Sequence, residues 1–471
     1  MRGFAFGAMP KDGLRQRRPT GQSVKRLGGD ARSLSLRALL NGNDAPRVLR
    51  EEIAAIRPPA VDRALATKLT HGTLKMRRAL TWSVQRFLHQ PFCELERPLQ
   101  WTLLMGAYQL LYLRIPAHSA VNESVRLARA SGHAGTAALA NAVLRKLGAQ
   151  GVKPPAPRPG DTPHVLALHA SLPDWIAAHL VDRFGPALAA SIASGLNEQP
   201  SRALRLSLEL LSLASAQKTL TEEGFEIAQS RYGIPECLLV RQFPARGGVS
   251  QTWLTSGAAA WQSEQSQWAV QLLDPKVGET VVDVCAGRGV KTAMIAGRLG
   301  PTGRIYAIDD DVRKLDELRR AMSRRGLSNV QAVSGDARSA FPASVPVQAD
   351  AVLVDAPCSA LGLLGRRADV RWRKAPQDPA RFAQVQRRIL AQAATHVRPG
   401  GRMLYVTCST DRREDEDVVD DFLSSSAEWE PITVTLAADG LGVRRVGPYV
   451  LTVPGLDGAD GFFYASLHRR A

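Results

Sequence analysis

Residues 262–408 of this chain constrain its fold most, because short apolar runs alternate there with amphipathic helical patterns. Strands are expected over 280–284, 304–308, 330–334, 351–354 and 402–407. Helices are expected over 262–273, 291–299, 312–325 and 381–396. Alternation of this kind specifies a parallel sheet with helices on both faces. Pro399-Gly400-Gly401 reads as a turn into the fifth strand. The runs 449–453 and 462–467 read as a closing antiparallel pair.

The first strand of this block runs directly into Cys285-Ala286-Gly287-Arg288-Gly289-Val290-Lys291 and then a helix. Gly287 and Gly289 allow a tight turn and a close backbone approach to a ligand, at a helix N-terminus whose amides favour an anion. The stretch is not a P-loop, since Val290 stands where a Gly would precede the Lys. Asp309 ends the next strand about 20 residues on, where an acid accepts the hydroxyls of a ribose. Asp336, in Ser334-Gly335-Asp336-Ala337, ends the third strand, where an acid meets an adenine amino group. A dinucleotide and S-adenosylmethionine both satisfy this pattern.

Two cysteines follow at the mouths of the fourth and fifth strands. They are Cys358 in Asp355-Ala356-Pro357-Cys358-Ser359 and Cys408 in Thr407-Cys408-Ser409. C5 of cytosine is a poor nucleophile until a thiolate adds at C6. A methyltransferase acting there therefore needs a Cys, a group on the base edge and a methyl donor within reach. Asp355 is placed to hydrogen-bond N3. Cys93, Cys237 and Cys285 read as small buried hydrophobes. Arg366, Arg367, Arg371, Arg373 and Lys374, with Trp372 among them, combine phosphate contacts with a stacking ring, as a single-stranded nucleic acid requires.

The remainder of the chain divides as follows. Residues 1–32 form a basic tail, 33–150 an all-helical domain and 151–163 a Pro- and Gly-rich linker. Residues 164–250 form a helical plus small β-α-β module, and 251–471 the α/β domain. Within the helical domain, 47–56 and 62–80 read as amphipathic helices, and 101–113 as a buried central helix stopped by Pro116. The charge is strongly basic, 61 Lys and Arg against 44 Asp and Glu. With the basic residues clustered, that points to a polyanion partner. Five cysteines without a CxxC pair argue for a reducing compartment and against structural zinc. No apolar run approaches the ~20 residues of a membrane span, and no signal-peptide core stands near Met1.

The Asp-Ala-Pro-Cys-Ser and Thr-Cys-Ser tracts, Gly335-Asp336-Ala337 and Asp460-Gly461-Phe462-Phe463 resemble the Nop/Sun family of RNA cytosine-C5 methyltransferases. The tracts 115–123 and 141–145 resemble the RNA-binding NusB fold. Together they narrow the resemblance to the bacterial ribosomal RNA small-subunit methyltransferase B type. It implies a NusB-like all-α domain, a small α+β middle module that also binds RNA, and a Rossmann-like methyltransferase domain using S-adenosylmethionine. By the same resemblance Cys408 is the nucleophile and Cys358 assists product release. Cys285, Ala286, Gly287, Arg288, Gly289, Val290, Lys291, Asp309, Asp336 and Asp355 contact the cofactor. RNA, with 16S ribosomal RNA foremost, is the expected partner, for a monomeric cytoplasmic enzyme without metal. Two departures stand out. Val290 replaces a family Gly, and would be strained if that position needs φ > 0, with Arg288 expected to compensate at the methionine carboxylate. Ala360-Leu361-Gly362 replaces Gly-Thr-Gly. The rival readings are a non-catalytic RNA-binding or ribosome-assembly homologue, a transfer RNA cytosine-C5 methyltransferase and, less well, a nicotinamide dehydrogenase.

Overall fold

The apolar periodicities resolve into two compact units in the computed structural model, which describes residues 27–244, 249–434 and 442–471. The expected basic tail lies almost wholly outside the described residues. One unit comprises residues up to Val181 together with Arg367–Arg373. The other comprises Asp182–Arg366 and Lys374–Ala471.

The first unit is helical: α1 (Ala31–Leu39), α2 (Ala45–Ile56), α3 (Ala60–Lys75), α4 (Arg77–Gln85), α5 (Arg97–Tyr112), α6 (Ala117–Ser131), α7 (Ala134–Gln150) and α8 (Pro163–Ala170), with α9 (Asp174–Phe184) crossing the boundary. Helix α5 is apolar nearly all round and is the buried centre, with Trp101, Leu103, Leu104 and Met105 at 2 % exposure or less. The helix expected over 62–80 is two, broken at Met76 where ψ reaches 13°. Pro116 does not stop α5. It caps α6, because its fixed φ suits the entry to a helix better than the exit. Cys93, expected inside, is exposed on a single turn between α4 and α5. Residues 151–162 carry no regular element, but α8 after them belongs to this same unit, so the boundary expected at 151–163 falls inside it.

The second unit carries two sheets. After α10 (Pro186–Gly195), β1 (Arg202–Leu206), α11 (Leu213–Glu222), β2 (Glu226–Gln229), β3 (Cys237–Gln242), α12 (Gln251–Ser256) and β4 (Ala259–Trp261) build an antiparallel sheet in the order β2-β3-β1-β4. Period-two burial sorts its faces. Leu204, Leu206, Leu238 and Val240 pack with Ala216 and Leu220 of α11, whereas Ala203, Cys237 and Leu239 join the core around Trp268. Strand β4 belongs to this sheet, so the module expected to end at 250 extends past it.

The larger sheet uses α13 (Glu264–Leu273), β5 (Thr280–Val284), α14 (Val290–Leu299), β6 (Arg304–Asp309), α15 (Val312–Arg324), β7 (Val330–Ser334) and β8 (Ala349–Asp355). The short α16 (Val370–Arg373) belongs to the helical unit. The chain returns with α17 (Asp378–Ala394), β9 (Val397–Thr407), α18 (Glu416–Ser425), β10 (Trp429–Ile432), β11 (Val443–Val446), β12 (Tyr449–Thr452) and β13 (Phe463–Arg469). Strands β9-β8-β5-β6-β7 are parallel; β13, β12 and β11 continue the sheet antiparallel, and β10 pairs with β13. Pro399-Gly400-Gly401 lies inside β9 rather than before it. The register jumps from Ala349 opposite Val397 to Ala351 opposite Arg402, so these residues form an irregular bulge. Strand order reverses between β5 and β8, which makes the carboxyl ends of those two strands the natural ligand crevice.

Candidate active site

The turn after β5 is built by backbone geometry. Cys285 takes φ of 63°, Gly287 59° and Gly289 78°. At Gly289 a side chain is doubly excluded, since a Cβ would stand 2.6 Å from Leu318 Cγ. At Gly287 a Cβ would meet nothing within 4 Å, so open space faces that backbone. Val290 is the first residue of α14 and does not have positive φ. The strain anticipated there is absent, because the left-handed residues are Cys285, Gly287 and Gly289. Arg288 is exposed and paired with Glu317 at 2.9 Å. Its expected role at a cofactor carboxylate is therefore not prepared by this arrangement.

Asp309, 6 % exposed at the end of β6, accepts from Gly287 N at 2.9 Å, Asp311 N at 2.9 Å and Lys314 Nζ at 3.2 Å. A carboxylate offers about four acceptor positions, so it retains capacity for a hydroxyl. Asp336 ends β7 as expected, but Arg338 holds both its oxygens at 2.8 Å and pushes it down to about 2. The open turn at Gly287, the carboxylates on successive strand ends and the amides of α14 fit a nucleoside carrying a charged tail, and so fit S-adenosylmethionine.

Asp355 closes β8 across the crevice and holds Lys291 Nζ at 2.6 Å. Burial works against the Lys291 charge. Asp355, Asp283 and Cys408 outweigh it and hold the ammonium above its ordinary range. Behind the turn, burial raises Asp283 to about 7, eased by a 2.6 Å bond from the Thr292 hydroxyl. Burial likewise pushes the Cys285 thiol up, as befits a residue that packs rather than reacts.

Cys358 and Cys408 are both half-buried, and their sulfurs are 3.1 Å apart. Parallel pairing of β8 with β9 brings their two loops side by side, and Gly362 N donates to Cys408 O at 2.9 Å. Gly362 is obligatory there, because a Cβ would stand 1.9 Å from Gly461 O. Ala360, in the departing Ala-Leu-Gly tract, takes φ of 62° without being glycine.

Sequence reasoning missed the group that joins these loops. Glu414, fully buried, accepts from Ser359 N at 2.7 Å, Ser409 Oγ at 2.6 Å and Gln386 Nε2 at 3.2 Å, and from Ser359 Oγ. Ser359 and Ser409 are the residues that follow the two cysteines. One carboxyl group thus ties both thiol loops together from below, and burial raises it to about 6. Its sequence context, Arg412-Arg413-Glu414-Asp415-Glu416-Asp417, looks like a solvated charge run, yet Glu414 and Asp415 are both at 0 % exposure. The one available signal was its spacing, six residues after Cys408.

The basic stretch after Cys358 divides into residues engaged in packing and residues left exposed. Arg371 is fully buried in the helical unit, donating to the carbonyls of Lys75, Ala170 and Ser171, and burial lowers it to about 9. Trp372 donates from Nε1 to Leu74 O at 2.7 Å and lies under the Arg77 guanidinium. Burial of Arg371 contradicts its expected place on an RNA-facing surface, whereas Trp372 is half-buried with its Nε1 donor taken. Arg366 pairs with Asp460, Arg367 and Arg373 with Asp369, and Lys374 lies over Phe382. Of these, Arg366, Arg367 and Arg373 present exposed guanidinium surface. Among the described residues, no group of three or more His, Cys, Asp or Glu is placed to hold a metal ion, and no helix is long and apolar enough to cross a membrane.

Comparison with known proteins accords with this geometry. The model of the 16S rRNA methyltransferase RsmB/F family matches residues 270–468, and that of the NusB family residues 30–149. The probable ribosomal RNA small subunit methyltransferase B of Bacillus subtilis is 31% identical over 419 residues, covering 87% of this chain and 91% of that protein. The ribosomal RNA small subunit methyltransferase B of Erwinia tasmaniensis is 31% identical over 412 residues, covering 86% and 90%. The fold matches the crystal structure of PH0851 with a TM-score of 0.74 at 24% identity, over 95% of this chain and 98% of that one. A NusB-like helical domain, a Rossmann-like sheet with its nucleoside crevice and near-complete coverage at this identity lead to one conclusion: the chain belongs to the ribosomal RNA small subunit methyltransferase B family of S-adenosylmethionine-dependent RNA methyltransferases.

Proposed function

We propose that this enzyme methylates C5 of a cytosine in small-subunit ribosomal RNA through a covalent bond between Cys408 Sγ and C6 of the base. The observation that carries the reading is the pair of thiols 3.1 Å apart at the ends of β8 and β9, next to the Lys291–Asp355 pair. S-adenosylmethionine supplies an electrophilic methyl group; Gly287, Asp309 and the amides opening α14 would hold it.

The Cys408 thiolate adds to C6, and the C5–C6 π electrons become those of an enamine whose carbon, C5, attacks the methyl group. N3 takes up a proton from solvent as negative charge builds on the ring, and the Asp355 carboxylate, steadied by Lys291, accepts the hydrogen bond from that N3–H. After transfer, C5 bears both hydrogen and methyl. Solvent or a base in the site takes the C5 proton, the C6–S bond breaks with its electron pair returning to Cys408, and N3 gives up its proton, which restores the neutral aromatic base. The hydrogen bond shared with Cys408, together with burial, pushes the Cys358 thiol up and favours its protonated form. A thiol in contact with the sulfur that must leave supports a role for Cys358 in product release. The target must be unpaired or flipped, since a sulfur cannot reach C6 within a stack. A ribosomal RNA substrate is consistent with a cytoplasmic enzyme.

Cys408→Ala should abolish methylation, and Cys358→Ala should transfer methyl once and accumulate a covalent RNA–protein adduct. Denaturing gel electrophoresis with labelled RNA reads both. Full turnover by Cys408→Ala would sink the assignment. Bisulfite sequencing of ribosomal and transfer RNA, with and without the gene, decides the substrate.

A further inference from the structure

Behind the cofactor turn lies a cavity of about 220 Å³ that the methylation chemistry does not use. It is formed by β1 and the loop after it, by α14 and by Arg325 at the end of α15. Three arginines line it, Arg205, Arg298 and Arg325, against two glutamates, Glu209 and Glu236.

These charges are unequally matched. Arg298 is bidentate to Glu236 at 2.6 and 2.7 Å and also reaches Gln271, so that pair is closed. Arg325 gives one bond, from Nη2 to Glu209 Oε1 at 2.7 Å, and its Nε and Nη1 have no partner among the described residues. Among the described residues, Arg205 has no carboxylate partner within ion-pair distance. Its Nη1 donates to Gln262 Oε1 at 3.1 Å and to the carbonyl of Val290, and its Nε has no partner. Arg205 is 4 % exposed and Arg325 8 %. A buried guanidinium without an anion is a costly arrangement, and water, being neutral, cannot offset the surplus charge. The volume is far above the ~15 Å³ that one water needs. Burial, with Arg325 nearby, lowers Arg205 to about 9, which is the behaviour of a cation short of its counter-charge.

We infer that this cavity is the seat of one phosphate group, held by Arg205 and Arg325, with Glu209 as the internal carboxylate that competes for Arg325 when phosphate is absent. Guanidinium groups match phosphate oxygens in geometry as well as charge. The phosphate is either free or a backbone phosphate of RNA. Only the second source rests on the methylation reading.

The test is calorimetric titration of the full chain with inorganic phosphate in a chloride buffer. One saturable site is expected. Arg205→Met and Gly297→Leu should each weaken it at least about tenfold, the first by removing charge, the second by filling the cavity beside Glu209, whose Oε2 lies 3.2 Å from a Cβ at that position. Glu209→Gln should tighten it, because a competing negative charge is gone. If Arg205→Met does not fold, the other two variants carry the test. A parallel titration with a small-subunit RNA fragment separates the sources. If phosphate competes and the salt slope for RNA falls by about one in Arg205→Met, the group belongs to RNA. If phosphate binds while RNA affinity is unchanged, the ligand is free phosphate. No saturable phosphate binding, or binding indifferent to all three substitutions, overturns the proposal, whatever becomes of the cysteine chemistry.

Discussion

Glu414 offers the sharpest perturbation, because one buried carboxyl group holds two reactive loops. In Glu414→Ala the buried Ser359 N loses its acceptor, which costs about 1–3 kcal/mol. The two serine hydroxyls, 3.1 Å apart, can bond each other and recover part of what they lose. Adding the void left by the side chain, the net loss should be about 3–4 kcal/mol. In Glu414→Gln the amide oxygen can still serve Ser359 N while its NH2 donates to the hydroxyls, so the loss should be about 1 kcal/mol. The pH dependence follows from the raised pKa, from 4.5 to about 6. A carboxyl raised on folding stabilises fully below its unfolded value and loses that contribution as pH rises through its folded value. At about 1.4 kcal/mol per tenfold change, the loss between pH 4.5 and pH 7 is about 2 kcal/mol. The deficit of Glu414→Gln against the parent should therefore narrow with rising pH. Urea unfolding of both variants across this range measures it, with single-turnover methylation followed in parallel. If alanine and glutamine cost the same at every pH and leave the turnover rate unchanged, the idea that Glu414 sets the cysteine spacing is refuted.

Other outcomes follow from neighbouring residues. Ala360→Gly should stabilise by about 0.5–1 kcal/mol by relieving φ of 62°, whereas Gly362→Ala should cost about 3 kcal/mol and most activity by driving a Cβ into Gly461 O; thermal unfolding distinguishes the signs. Arg371→Met should destabilise by about 2–3 kcal/mol through lost charge-assisted bonds to buried carbonyls, yet leave RNA affinity measured at fixed salt within about twofold. Reversing the exposed Arg367 and Arg373 to Glu should instead weaken RNA binding with a shallower salt dependence, and unchanged binding would remove this loop from the RNA interface.

The candidate site was legible wherever chemistry and local geometry coincide. Gly289 and Asp309 were placed by the strand–turn–helix pattern, because a turn that must end a strand and open a helix leaves few positions for a ligand-facing group. Cys358 and Cys408 were legible as ends of adjacent strands. Residues whose meaning depends on partners distant in sequence were not. Glu414 sits in what resembles a solvated acidic and basic run, and its burial is decided by Ser359 and Gln386, which lie 55 and 28 residues away. Arg371 and Trp372 have the composition of an RNA platform, and only the helices packed around them show that their donors are taken by the carbonyls of Ala170 and Leu74.

Taken alone, the order of amino acids determined most of the element sequence, the parallel core and the placing of Cys358 and Cys408 at adjacent strand ends. Periodicity and turn chemistry are short-range properties, written within a few residues of where they act. Tertiary structure decided which charges are buried, that the two thiols lie in contact, and where three arginines and two glutamates line one cavity. Those outcomes depend on desolvation and on distances between segments far apart in the chain, and neither quantity exists until the chain has folded.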